Sequence, residues 1–269
     1  MRTSRSTTIT LRSVALLYLV GLLAVPIGVI LWRTFAPGVG AFVESVQTPA
    51  SIAALNLSLL IVAIVVPLNV VFGVVTAIAL ARWKVPFRGA VQAIVDLPFA
   101  VSPIVVGVSL IMLWGVSGWF GGIEQSTGIK VIFGLPGMVI ATVFVTLPFV
   151  VREVEPVLHE IGVEQEQAAS TLGASAWQTF WRITLPAIRW GLTYGVILTV
   201  ARALGEFGAV IMVSSGFPGV SQTLTLLVHS RYIDDHNTYG AYAAATLLMG
   251  LAMATLLFMT LLDRKRSTR

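Results

Sequence analysis

Six runs in which apolar residues follow one another almost without a charge divide this chain: 13–32, 51–81, 89–114, 131–151, 187–213 and 240–262. They are neither the one-sided stripe of a surface helix nor the alternation of a half-buried strand. A helix rising ~1.5 Å per residue needs about 20 residues to cross a ~30 Å hydrocarbon core, and each run is long enough. The pattern predicts an all-α, polytopic membrane protein with six transmembrane helices in a single domain, 1–269. The second run is over-long, and tilt or a kink at Pro67 would absorb the excess. The basic start and apolar run 13–32 have the outline of a signal peptide, but about 20 apolar residues exceed the 7–15 of such a segment. The run is therefore read as an uncleaved first span.

The longest polar interruption is 152–186, and it holds five of the twelve acidic residues, Glu153, Glu155, Glu160, Glu164 and Glu166. Its second half has helical spacing: Ala168, Ala169 and Leu172, then Trp177, Phe180 and Trp181. Gly173 stands between the two sets, where a turn can use its freedom at positive φ. The reading is a short helix, a glycine break and a second short helix that stops at Pro186 for want of an N–H donor. Ala168, Ala169, Gly173 and Ala174 make a side-chain-poor spot that another protein could approach closely.

Composition agrees with the spans. Of the residues 57% are hydrophobic and 11% charged, against about 25% charged in soluble domains. There are no cysteines, and three histidines, His159, His229 and His236, are too scattered for a metal centre. The net charge of +5 could suggest nucleic acid, but its distribution points to the membrane. With six spans and both termini inside, the inner segments hold Arg2, Arg5, Arg12, Arg82, Lys84, Arg88, Arg152, Arg182, Arg189, Arg264, Lys265, Arg266 and Arg269. The outer loops hold Arg33, Lys130 and Arg231. The positive-inside rule then places both termini and the 152–186 loop in the cytoplasm of a plasma (inner) membrane protein.

The loop resembles a known motif. Ala168-Ala169, three residues, Gly173, nine residues, then Ile183-Thr184-Leu185-Pro186 is similar to the EAA loop of permease subunits of ABC-type importers. Here Gln167 stands at the position of the motif's Glu, with Glu166 beside it. The resemblance implies a type I importer permease fold and a loop that docks in a cleft of a separate ATP-hydrolysing subunit. Glu166, Gln167, Ala168, Ala169, Gly173, Ala174, Ile183, Leu185 and Pro186 would form the coupling surface. The chain has no G-x-x-x-x-G-K-[ST] to cradle nucleotide phosphates, so ATP would be used by the partner and no cofactor bound here.

Three ionisable residues fall within apolar runs: Asp96, Arg202 and Glu206. Each would cost roughly 2.5–3.5 kcal/mol in lipid, so each should face protein or water. Arg202 and Glu206 are four apart and within mutual reach on a helix. Ala201, Gly205 and Ala209 form a small-residue stripe beside them, and Gly191 and Gly195 a G-x-x-x-G. Two roles are open: span five lines the translocation path with this pair facing it, or the pair is neutralised internally and braces the helices.

A further resemblance bears on substrate. ARALGEFGAVIMVSSG (201–216) and DLPFAVSPIVVGVSL (96–110) are similar to segments of sulfate and molybdate permeases, and DDHNTYGAYAAAT (234–246) looks like the W-type sulfate permeases. This implies import of sulfate or thiosulfate by a heterodimer with a T-type second permease subunit, two ATP-binding subunits and a soluble sulfate-binding protein. Molybdate or another oxyanion is the alternative within the class. Outside it stands an ion-coupled transporter using Asp96, Arg202 and Glu206 as a relay. The lack of an internal repeat weakens that alternative, and no acid/base or metal constellation suggests an enzyme.

Overall fold

The computed structural model describes residues 5–83 and 86–267, and among them every regular element is helical. In chain order these are α1 (Arg5–Leu19), α2 (Val25–Phe35), α3 (Val39–Val46), α4 (Pro49–Arg82), α5 (Arg88–Ala100), α6 (Pro103–Trp114), α7 (Gly121–Thr127), α8 (Leu135–Ile161), α9 (Glu164–Thr171), α10 (Ala176–Thr179), α11 (Leu185–Leu204), α12 (Gly208–Val213), α13 (Leu224–His229) and α14 (Thr238–Ser267). Five helical stretches are long and apolar enough to span a membrane: Leu11–Phe35, Pro49–Arg82, Leu135–Ile161, Ala176–Leu204 and Thr238–Leu261. Of the predicted inner charges, Arg2, Lys84 and Arg269 lie outside the described residues.

The third predicted span, 89–114, is not one helix. α5 and α6 meet at Val101–Ser102 with a bend of 109°, where Pro103 at the start of α6 forces the preceding residue out of helical geometry. The fourth differs at its end: α8 continues ten residues beyond the predicted 151 to Ile161. One side of this extension, Val154 and Leu158, is fully buried against α4 and α11. Its polar face made it look like loop.

Prolines pass through helices by a common device. A π-turn at Val20–Ala24 precedes Pro26, and another at Phe180–Thr184 precedes Pro186. In each, the residue before the proline donates five residues back, Val25 to Val20 and Leu185 to Phe180. Widening the turn this way relieves the clash between a proline ring and the carbonyl four residues earlier. Pro186 therefore does not stop the second loop helix, contrary to expectation, and the helical path runs unbroken from Ala176 to Leu204.

The centre of the bundle is α4, α8 and α11. Glycines set their spacing: a Cβ on Gly191 would lie 2.5 Å from the Glu153 carbonyl oxygen, and one on Gly195 3.0 Å from the Val150 Cα. Here the G-x-x-x-G serves close packing on α8. Asn69 of α4 donates to Thr146 Oγ1 of α8 at 2.6 Å inside the apolar core. The predicted stripe Ala201, Gly205, Ala209 does not form, because α11 ends at Leu204 and α12 begins anew at Gly208. The region 214–239, expected as an outer loop, folds inward as α13, whose Leu224 and Leu227 are buried with Ala54 and Ala244.

Candidate coupling surface and intramembrane ion pair

α9 begins after Gly162 (φ +67°) and closes on Gly173 (φ +83°). Gly173 N–H donates to the Ser170 carbonyl and Ala174 N–H to that of Ala169, each at 3.0 Å, the paired bonds of a Schellman ending. Ser175 then caps α10 reciprocally with Gln178. The predicted helix, glycine break and second helix are therefore all present, the glycine turn locked by backbone hydrogen bonds and the start of α10 by side-chain caps.

What holds α9 against the bundle is Glu166. Its carboxylate meets Arg82 Nε at 3.0 Å and accepts from Thr184 Oγ1 at 2.9 Å, while Arg82 Nη1 donates to the Leu158 carbonyl at 2.8 Å. One cluster thus ties together the ends of α4 and α8, the loop helix α9 and the π-turn below α11. Gln167, at the motif's Glu position, is exposed and turned outward. The charge next to it, on Glu166, is the inward anchor. Arg82 and Thr184 were missed as site residues because they lie 84 and 18 positions from Glu166 in sequence. The only sequence signal was that Arg82 ends an apolar run.

The rest of the predicted coupling set is partly exposed and partly turned inward. Ala168, Gly173 and Pro186 are exposed, Ala174, Ile183 and Leu185 half-buried, and Ala169 faces the bundle. Leu172 at the tip is 88% exposed. Trp177, Phe180 and Trp181 cluster, with ring centroids 5.4 Å apart and edge-on for Trp177–Trp181 and Phe180–Trp181. α9 thus presents small residues and an exposed leucine, and two exposed tryptophans follow in α10 and the π-turn.

Asp96 is not part of the fifth-span pair. It binds Arg152 through two contacts, 2.9 and 2.8 Å, and Arg152 also lies over the Phe99 ring. Nearby, Arg88 meets Glu155 at 3.0 Å and His159 Nε2 at 2.8 Å, and Gln92 donates to Glu155. These groups line a cavity of about 680 Å³ and latch α5 to α8. Asp96 is therefore paired with Arg152, and among the described residues no hydrogen bond or ion pair joins it to Arg202 or Glu206.

Arg202 and Glu206 do meet, at 3.0 Å between Nη2 and Oε2. They span the break between α11 and α12 rather than one helical face, and Glu206 Oε1 accepts the Ala209 N–H at 2.9 Å. The Glu206 carbonyl accepts from Thr225 Oγ1 of α13. Each of these bonds satisfies backbone or charge freed by the helix break.

The chain is thus a bundle of membrane-length helices with a short loop helix locked to one end. Comparison with solved structures agrees: a bacterial ABC transporter involved in the import of the acidic polysaccharide alginate superposes with a TM-score of 0.79 over 96% of this chain and 95% of that one, at 18% identity. Residues 69–268 match the family described as binding-protein-dependent transport system inner membrane component, and the chain belongs to that family. It is a multi-pass membrane transport component, not an enzyme. Among curated relatives, the sulfate transport system permease protein CysW of Synechocystis sp. is 47% identical over 94% of this chain and 91% of its own length. The CysT protein of the same organism is 33% identical over 93% and 87%.

Proposed function

We propose that this chain is the W-type permease half of an ATP-driven importer for sulfate, a single membrane domain that works beside a T-type permease, two ATP-binding subunits and a soluble sulfate-binding protein. The observation that carries this is α9: a short helix fixed by Glu166 to three elements of the bundle, with its small-residue face and Leu172 turned out. Movement imposed on such a helix reaches α4, α8 and α11 together, which a loosely tethered loop would not transmit. The higher identity to CysW than to CysT supports the subunit type. The excess of Lys and Arg on the α9 side supports a cytoplasmic loop and cytoplasmic termini.

The test uses the absence of cysteine in the chain. In cells expressing the partner proteins, a Leu172→Cys variant is expected to crosslink to the ATP-binding subunit and to take up labelled sulfate. Cells without that subunit should show no uptake. Uptake that persists without it would overturn the reading, as would crosslinks formed only to proteins outside the cell membrane's inner side. Thiosulfate and molybdate added as competitors define the anion range.

A further inference from the structure

The protein uses its buried arginines in two ways. Arg231, 6% exposed, donates to the Gly240 carbonyl at 3.0 Å, Thr48 Oγ1 at 2.9 Å and Ser51 Oγ at 2.8 Å, and reaches the Ser45 carbonyl. Its fork is committed to tying the segment before α14 to the start of α4. Burial lowers its pKa, and the nearby charge of Asp235 works in the opposite sense. This is what a bracing arginine looks like here.

Arg202 is different. Its side chain is 38% exposed while that of Glu206 is 1% exposed. Glu206 Oε2 has no hydrogen-bond partner, so it meets the guanidinium as a charge only. Apart from the Nη2 contact with Glu206 at 3.0 Å, the Arg202 N–H groups have no hydrogen-bond partner among the described residues. The carboxylate is fixed from behind by the Ala209 N–H, and beyond its Nη2 contact with Glu206 the guanidinium keeps its remaining donors uncommitted. Arg202 lies 17 residues past Leu185, about 25 Å along the helix at ~1.5 Å per residue. That depth is within the hydrocarbon region, where a guanidinium facing lipid costs several kcal/mol. Its exposed part therefore faces water or a partner's surface.

We propose that Arg202 is the contact for the tetrahedral oxyanion in this half of the translocation path, with Glu206 as its positioning residue. The inference rests on the permease reading and adds to it the residue that meets the substrate. A planar guanidinium offers two parallel N–H donors to two oxygens of a sulfate-like anion. Glu206 does more than aim it. An unpaired arginine at low dielectric would hold a dianion too firmly for passage, and a buried carboxylate behind it weakens that hold so that the anion can leave.

The experiment places a reporter beside Arg202 without touching the pair. Gly205 is exposed, and a Cβ there would meet only the Ala201 and Arg202 carbonyls at 3.7 and 3.8 Å. Gly205→Cys would be the one thiol in this chain. In the complete transporter in vesicles, it is treated with methanethiosulfonates carrying a sulfonate or a trimethylammonium group, and rates are normalised to free cysteine. The sulfonate reagent is expected to react on the order of tenfold faster than the ammonium reagent. The preference should vanish when Arg202→Gln is added, survive Arg202→Lys, and be suppressed by sulfate but not by gluconate at equal ionic strength. No reaction, a rate indifferent to reagent charge, or a preference unchanged in Arg202→Gln would overturn the proposal. ATP-driven sulfate uptake is measured on the same preparations. Uptake with charge-blind labelling sinks this inference alone, whereas no uptake by the unsubstituted transporter sinks the permease reading.

Discussion

Gly173 sits at φ +83° with nothing in the chain within 4 Å of where a Cβ would be. A side chain there meets no internal clash, and its penalty is the left-handed backbone, ~1–2 kcal/mol for an L-residue. Gly173→Leu is expected to abolish uptake through loss of the turn and obstruction of the outer face while leaving membrane insertion unchanged. Gly173→Asn, which tolerates this conformation, should retain most uptake; equal loss in both would exclude the backbone explanation. Glu166 makes a second residue-scale prediction. Arg82→Ala and Glu166→Ala should each speed amide exchange over 164–171 and reduce uptake severalfold. Because both remove the same contact, the double variant should add little to either single one. Additive effects would mean that the two side chains act separately.

At the scale of elements, close approach decides packing. A Cβ on Gly107 would fall 2.6 Å from Met212 Cβ and 2.8 Å from the Ala209 carbonyl, where α6 crosses α12. Gly107→Ala is expected to destabilise the detergent-solubilised protein by ~1–3 kcal/mol through overpacking. Gly28→Ala in α2, with no atom within 4 Å of its Cβ, should leave the melting temperature unchanged; equal shifts would refute the packing account. The elements also show where local pattern reading stops. The run 89–114 is apolar apart from Gln92, Asp96 and two serines, so little but its prolines hinted that it bends by 109°. The polar residues after 151 concealed ten further helical residues, the buried Val154 and Leu158 among them, because an amphipathic helix end and a polar loop have similar composition. Pro186 read as a stop, since a π-turn is a backbone adjustment that no residue type announces.

Across the whole molecule, the outlying element is the first span. From Leu11 to Phe35 it is almost wholly exposed, touching the bundle at its end where Thr34 meets Thr246 at 2.8 Å and Tyr239 donates to the Thr34 carbonyl. Leu16, Leu17, Tyr18, Leu22 and Trp32 are uncovered by this chain, as suits a protein whose outer surface belongs to lipid and companion subunits. Orientation is testable at this scale. Impermeant thiol reagents are expected to label Phe217→Cys from outside intact cells and Leu172→Cys only after the membrane is opened, both side chains being exposed at their tips. The reverse pattern would invert the assignment.

The class of protein, the approximate spans, the loop helix with its glycine turn, and the pairing of Arg202 with Glu206 were all determined by the sequence alone. Each depends on residues close together in the chain or on hydrophobicity summed over a window, and both survive any tertiary arrangement. Only the tertiary structure decided that Arg82 and Thr184 anchor Glu166, that Asp96 belongs to Arg152, and that the fifth span breaks so as to bury a carboxylate and leave its arginine outside. Those outcomes require groups from distant parts of the chain to satisfy one another's charges and hydrogen bonds, and that demand appears only once the helices are packed.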